Sequence, residues 1–332
     1  MPLIKESTYK YKGLLFNEHL ETIFPALMRN VRYPGSKRLR MRIMDGDFLD
    51  MDWYAGGNKK LVIISHGLEG SSQRSYVLGM ARAFFRNSWD VMAWNFRACS
   101  PEMNRKPWYY HSGSTNDLHQ VISIAKSKGD YESIVLVGFS LGGNLTLKYL
   151  GEKIYSLPNE LIGAVTFSVP IDLAGSSDKI SDAANRLYSN RFLRMLKRKV
   201  QLKTAQAGKQ ESDNKLRAIK TLRDFDEKYT APIHGFRNAA HYYHACNSLQ
   251  FLKNIRVPTL IVNAKNDPFL SLSCLPTELC EKLSYVYLET PERGGHMGFS
   301  GQKQEGLSWM EQRALAFVEQ TILRSGQSVA RR

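Results

Sequence analysis

Cysteine is scarce in this chain of 332 residues: Cys99, Cys246, Cys274 and Cys280 are too few and too scattered for a disulfide framework. None stands in the Cys-x-x-Cys spacing of a zinc or redox site, and the scarcity favours a reducing compartment. Long apolar runs are also missing. Nothing approaches the ~20 residues of a membrane-spanning helix, and residues 1–16 interleave lysines with short apolar pieces instead of forming a signal peptide. The expectation is a cytoplasmic protein. Acidic residues are outnumbered, with Lys+Arg at 46 against 31 Asp+Glu and a net charge of +15. Such an excess draws a protein towards anionic surfaces. Nucleic-acid binding would also need a recognisable module or exposed aromatics among the basic residues; neither is found, so no nucleic-acid partner is expected.

What is present is one stretch around which the rest is organised. Ile134-Val135-Leu136-Val137 reads as a buried strand, Gly138-Phe139-Ser140-Leu141-Gly142 fits Gly-x-Ser-x-Gly, and Asn144-Leu145-Thr146-Leu147-Lys148-Tyr149-Leu150 reads as a helix. Strand, pentapeptide and helix in this order are the context of a nucleophile elbow, a sharp turn that lifts a serine hydroxyl out of the sheet. The turn is crowded and demands small residues at 138 and 142. The Leu141 amide, in the first turn of a helix with no partner of its own, is placed to hold an oxyanion.

Along the chain, residues 17–30 read as a short helix containing Pro25, residues 38–44 and 48–53 as an antiparallel hairpin around Asp45-Gly46, and residues 60–65 as a buried strand. Helices and strands then alternate up to residue 168, which implies a mostly parallel sheet with ligands beyond the carboxyl ends of its strands. From about 172 to 246 the pattern becomes polar, basic and helix-prone, as in an insertion over the site. Strands at 257–263 and 284–288 and an amphipathic helix at 309–323 resume it. The expected fold is therefore α/β: a core at 1–171 and 247–323, a helical cap at 172–246 and a basic tail at 324–332.

A serine hydroxyl needs a base, and the base needs an orienting acid. Asp267 follows the resumed strand in Asn266-Asp267-Pro268, and His296 lies in the glycine-flanked Gly294-Gly295-His296-Met297-Gly298. The order Ser140, Asp267, His296 is that of α/β-hydrolases. Asp172, after the preceding strand, is the rival acid. A second oxyanion donor is expected from His66-Gly67-Leu68, at the Leu68 amide, with His66 bracing that loop. His66, Gly67, Arg97 and His111 are candidates for shaping the substrate pocket, with Arg97 and His111 equally suited to bracing their loops through bonds to nearby carbonyls. His241 and His244 have helical spacing suited to a metal, but no third ligand is evident and none is expected. Residues 191–200 place Phe192, Leu193, Leu196 and Val200 on one helical face with basic residues around the rest. Such a helix suits a packed cap, or peripheral contact with an anionic membrane.

These segments together resemble the YheT-like, AB-hydrolase-4 family of α/β-hydrolase esterases. The resemblance rests on His66-Gly67-Leu68-Glu69-Gly70-Ser71-Ser72, Asn95-Phe96-Arg97-Ala98-Cys99-Ser100, Tyr110-His111-Ser112-Gly113, the elbow, Ala264-Lys265-Asn266-Asp267-Pro268-Phe269 and Gly294-Gly295-His296-Met297-Gly298-Phe299. Glu18-His19-Leu20-Glu21-Thr22-Ile23, Asp224-Phe225-Asp226 and Tyr242-Tyr243 resemble it too, so the match spans roughly residues 15 to 320. It implies an α/β-hydrolase fold, carboxylesterase or acylglycerol-lipase activity, and a triad of Ser140, Asp267 and His296. Two positions depart from the family pattern: Ala98 stands where glycine is usual, and Asn266 where an aspartate commonly precedes the catalytic one.

The expectation is a serine carboxylesterase acting on short-chain esters or monoacylglycerol-like lipids, with no cofactor. Acyl transfer or lysophospholipid cleavage would use the same three residues. A binding module that kept the fold and lost turnover would not need them. Acyl chain length and oligomeric state are not legible in the sequence.

Overall fold

The computed structural model describes residues 3–11, 17–33, 35–209, 211–299 and 306–323. The tail expected at 324–332 lies outside the described residues. Nine strands form one sheet: β1 (Leu3–Ile4), β2 (Lys37–Arg42), β3 (Phe48–Tyr54), β4 (Lys60–Ser65), β5 (Asp90–Trp94), β6 (Ser133–Phe139), β7 (Leu161–Phe167), β8 (Thr259–Val262) and β9 (Val286–Glu289). Their order is β1-β9-β8-β7-β6-β4-β5-β3-β2. The β2–β3 and β3–β5 pairs are antiparallel, and the others are parallel.

The central strands are apolar along almost their whole length because both faces of the sheet are covered. Leu61 and Ile63 of β4 pack with Ile134 and Leu136 of β6 on one face, under Leu118 and Val121 of the helix Thr115–Lys128 and Leu145 of the helix Leu141–Gly151. Val62, Ile64, Val135 and Val137 face the other way, against Val77, Met80 and Phe84 of the helix Ser75–Arg86 and Met310 of the helix Trp309–Phe317. Each such side chain contributes about 1.5–3 kcal/mol by leaving water. The two layers fix β6, and with it the turn that follows.

The sequence pattern missed β1, because two residues are too short to show alternation. Leu3 and Ile4 add a parallel edge strand in register with Leu288 and Glu289. The closing helix ends at Phe317 and continues as a π-helical turn, Val318–Leu323.

Between β7 and β8 the described residues hold helices and no strand. The longest helix is Arg186–Gln206. Leu193, Leu196 and Val200 are buried there with Leu216, Leu222 and Phe225, forming a core separate from those of the sheet. The expectation that basic residues surround the rest of this helix needs correcting, since Lys199 and Lys203 are buried at 5% and 6% exposure. Both point inward because acceptors await them: Glu69 for Lys199, and the Asn104 and Lys106 carbonyls for Lys203.

Candidate active site

Strand β6 runs into Ser140, whose backbone sits at φ 52° and ψ −121°, left-handed values that cost a non-glycine residue about 1–3 kcal/mol. The surroundings enforce this geometry. A Cβ at Gly138 would lie 2.6 Å from the Gly142 carbonyl oxygen, and one at Gly142 would lie 2.4 Å from the His66 carbonyl oxygen. Backbone meets backbone at both points, so neither glycine can carry a side chain without moving the turn. The Ser140 amide donates to the Phe167 carbonyl (2.9 Å), tying the turn to β7.

The structure brings Ser140, His296 and Asp267 together. His296 Nε2 lies 3.1 Å from Ser140 Oγ, while Nδ1 lies 2.9 and 3.1 Å from the two oxygens of Asp267. The Asp267 carboxylate also accepts from the Phe269 amide (2.9 Å), and the Phe269 ring stands 4.2 Å from the imidazole. Asp172, the rival acid, is taken up elsewhere: it caps the helix Leu173–Ser181 by accepting from the Gly175 amide and also accepts from Ser273 Oγ.

The loop after β4 passes directly beside the serine, since a Cβ at Gly67 would lie 3.1 Å from Ser140 Cβ. Gly67 O closes the loop by accepting from the Gly70 amide. Among the described residues, neither the Leu68 nor the Leu141 amide has a hydrogen-bond acceptor. Both leucines line a cavity of about 110 Å³ together with Ser140. Most of its walls are apolar or aromatic, including Leu173, Ile180, Leu196 and Phe225 from the helical segment after β7.

The sequence profile of the α/β hydrolase fold family matches residues 60–301. The chain belongs to that family. The α/β-hydrolase is 33% identical over 305 residues to the Escherichia coli protein named Putative esterase YheT, a match covering 90% of this chain and 88% of the relative. It is 28% identical over 269 residues to a Saccharomyces cerevisiae monoacylglycerol lipase, covering 79% of this chain and 59% of that one. Among solved structures, esterase Pf2001 of Pyrococcus furiosus shares the fold at TM-score 0.60 and 16% identity, covering 88% of this chain and 96% of that one. The chain is thus a hydrolase of the esterase and lipase type.

Two expected pocket residues of the α/β-hydrolase have other work. Arg97 does not line the cavity; it is buried and gives two 2.7 Å bonds to Asp117 and one to Asp45. Burial opposes its charge, yet these carboxylates raise its pKa. Removing one partner of such a buried pair typically costs ~3–5 kcal/mol, a structural role. His66 is absent from the lining too. Its Nδ1 lies 2.8 Å from Gly67 O and its Nε2 accepts from the Phe96 amide, so it braces the loop as the neutral ring. His111 does line the cavity, its ring tilted against that of His234 with centres 4.4 Å apart. Among the described residues no group of His, Cys, Asp or Glu is arranged to hold a metal.

What the sequence did not reveal is how the histidine loop is held. Glu21, fully buried in the helix Glu18–Met28, accepts from Arg293 Nε (2.5 Å), the Gly294 amide (2.8 Å) and Asn266 Nδ2 (2.9 Å). Thr22 Oγ1 accepts from the His296 amide (2.9 Å). This explains the departure at position 266, because an asparagine can donate to Glu21 where an aspartate would repel it. Ala98 keeps the left-handed backbone (φ 62°) that a glycine would take freely, and buries its methyl against the core of the helical segment.

Burial holds His66 neutral, with its pKa pushed down to about 3 against the usual 6.5. The unfolded chain therefore takes up a proton below pH 6.5 that the folded one refuses, and stability falls as pH falls. From pH 7 to pH 5 this one group removes about 2 kcal/mol. Urea unfolding at the two pH values should show that loss in the wild type and a loss smaller by about that amount in His66→Gln; equal losses in both would contradict the assignment.

Proposed function

We propose that the protein is a serine carboxylesterase that cleaves small acyl esters or monoacylglycerol-like lipids through Ser140. The observation that carries this reading is the unbroken hydrogen-bonded line from Ser140 Oγ through His296 to Asp267. His296 Nε2 takes the serine proton as Oγ attacks the ester carbonyl, and Asp267 holds Nδ1–H so that Nε2 is the free base. The tetrahedral oxyanion is held by the Leu68 and Leu141 amides, worth several kcal/mol between them. His296 then gives its proton to the leaving alcohol, and Ser140 keeps the acyl group. Water, deprotonated by the same imidazole, releases the acid and restores the serine.

The cavity supports this substrate class. An apolar wall suits a hydrocarbon chain, and about 110 Å³ lies below the ~300 Å³ at the small end of ligand pockets, which favours short acyl groups. Relatives named as an esterase and as a monoacylglycerol lipase support the same class. Peripheral contact with an anionic membrane belongs to this reading as well. Arg191, Arg194 and Arg198 are exposed on the helix Arg186–Gln206 beside Leu187 at 77% exposure. Phe24, Leu27 and Met28 are exposed on the helix Glu18–Met28, which meets the longer helix through His19 and Tyr188. Among the described residues no helix is long and apolar enough to cross a membrane, so the contact would be with its surface.

Hydrolysis of p-nitrophenyl esters from acetate to laurate should be fastest at the short end. Ser140→Ala and Asp267→Asn should each lower kcat by about 10,000-fold. Turnover by Ser140→Ala within tenfold of wild type, or none by folded wild type on any of the esters, would sink the assignment. For the surface, sedimentation with phosphatidylglycerol vesicles should carry the protein down while phosphatidylcholine vesicles leave it in solution. The double substitution Arg191→Glu and Arg194→Glu should abolish the difference; equal sedimentation with both lipids would refute an electrostatic contact.

A further inference from the structure

The buried Lys199 joins the helical segment to the loop that carries an oxyanion donor. Its Nζ pairs with Glu69 Oε1 at 2.5 Å, both side chains being 6% exposed. The same ammonium lies 3.4 Å from Cys99 Sγ and 4.6 Å from the centre of the Tyr110 ring. Glu69 directly follows Leu68, and its backbone is held in the left-handed region at φ 51°. Tyr110 grips it from a second side: the hydroxyl donates to Glu69 Oε1 (2.8 Å) and accepts from the Glu69 amide (2.9 Å). A third contact runs from Arg74 Nη2 to the Glu69 carbonyl (3.2 Å). One helical turn beyond Lys199, Lys203 donates to the Asn104 and Lys106 carbonyls. The helix Arg186–Gln206 is therefore pinned to the core at two points, one of them a single residue from Leu68.

We propose that Lys199 and Glu69 are positioning residues for the oxyanion site, so that the Leu68 amide is aimed at the reacting carbonyl only while the helix Arg186–Gln206 is seated on the core. The inference rests on the assignment of Ser140 as nucleophile and Leu68 as oxyanion donor. A left-handed residue next to the donor is a strained conformation that its surroundings must hold. The Tyr110 and Arg74 contacts hold the Glu69 backbone, and the ion pair fixes its side chain from the helical segment. A buried carboxylate that loses its cation must either take up a proton or turn towards water, and either change releases the Glu69 backbone. Burial opposes the Lys199 charge, but the contacts with Cys99 and Glu69 outweigh it and raise its pKa. Lifting the helix away would break the pair and disarm the loop together. The ester would then meet a complete site only under a closed segment, with bulk water shut out.

The experiment uses the full chain and four variants: Lys199→Met, Lys199→Arg, Glu69→Gln and, as a surface control, Lys128→Met at the exposed end of the helix Thr115–Lys128. Two readouts are taken, kcat and KM on p-nitrophenyl butyrate, and amide hydrogen exchange of the peptide covering residues 66–72. Lys199→Met and Glu69→Gln should lower kcat by roughly 10- to 100-fold, part of the 100- to 1,000-fold cost of deleting an oxyanion donor. KM should stay within about threefold, because the donor acts on the transition state and not on the ground state. Exchange in residues 66–72 should quicken in both variants, Lys199→Arg should recover most of the loss, and Lys128→Met should match wild type. A Lys199→Met enzyme with kcat within twofold of wild type and unchanged exchange at 66–72 would overturn the proposal. So would exchange that rises equally across the sheet, which marks lost packing and nothing specific to the loop. If Lys199→Met does not fold, Glu69→Gln carries the test alone. If folded wild type shows no turnover, the nucleophile assignment has failed, and unchanged exchange at 66–72 in Glu69→Gln then decides against the coupling as well.

Discussion

The backbone crowding at Ser140 is the constraint on which the rest depends. The serine can hold its left-handed conformation only because β6 is clamped between two apolar layers and because Gly138 and Gly142 let three backbone segments meet at contact distance. A side chain at either glycine would collide with a carbonyl oxygen that cannot move without shifting β4 or the following helix. The strain has a return. It projects Oγ out of the sheet towards His296 and leaves the Leu141 amide without an acceptor among the described residues. The proposed nucleophile and oxyanion donor are thus placed by one turn, and the sheet supplies the stiffness that keeps them there.

The partners of the serine arrive from far along the chain, and each needs its own support. Asp267 lies beyond β8, where its carboxylate accepts from the Phe269 amide before it meets the imidazole. His296 lies on a loop in which Gly294 and Gly295 adopt positive φ, and that loop is gripped by Glu21 and Thr22 from a helix some 270 residues earlier. The amino-terminal helix is therefore a working part of the site. The helical segment after β7 contributes much of the cavity wall, and through Lys199 it also touches the loop of Leu68, the other proposed oxyanion donor. In the proposed coupling, closure over the substrate and assembly of the site are mechanically linked.

Which parts of this were legible in the sequence follows from how local each signal is. The elbow was readable because strand, glycines, serine and helix occupy one continuous stretch. The positions of Asp267 and His296 after successive strands were readable for the same reason, and the structure brings both to Ser140. Lys199 and Lys203 were not readable: in a run such as Arg194-Met195-Leu196-Lys197-Arg198-Lys199 nothing marks which cation turns inward, and only the position of Glu69 and of the Asn104 carbonyl decides it. For Arg97 a pocket role and a bracing role both stayed open, because its loop lies near the site while the three carboxylates around it, Asp45, Asp47 and Asp117, are spread over more than 70 residues. The same holds for Glu21, whose partners Asn266, Arg293 and Gly294 are visible only once the chain is folded. Charge signs and spacing say that such groups exist; long-range geometry alone says which of them meet.

The central claim is that Ser140 is an activated nucleophile, and covalent mapping tests it most directly. The folded protein is treated with an alkyl fluorophosphonate at neutral pH, digested, and the modified peptide is sequenced by mass spectrometry. One stoichiometric adduct is expected, on Ser140, formed far more slowly when His296 is replaced by alanine. An unmodified Ser140 in folded protein, or an adduct on a different residue, would contradict it.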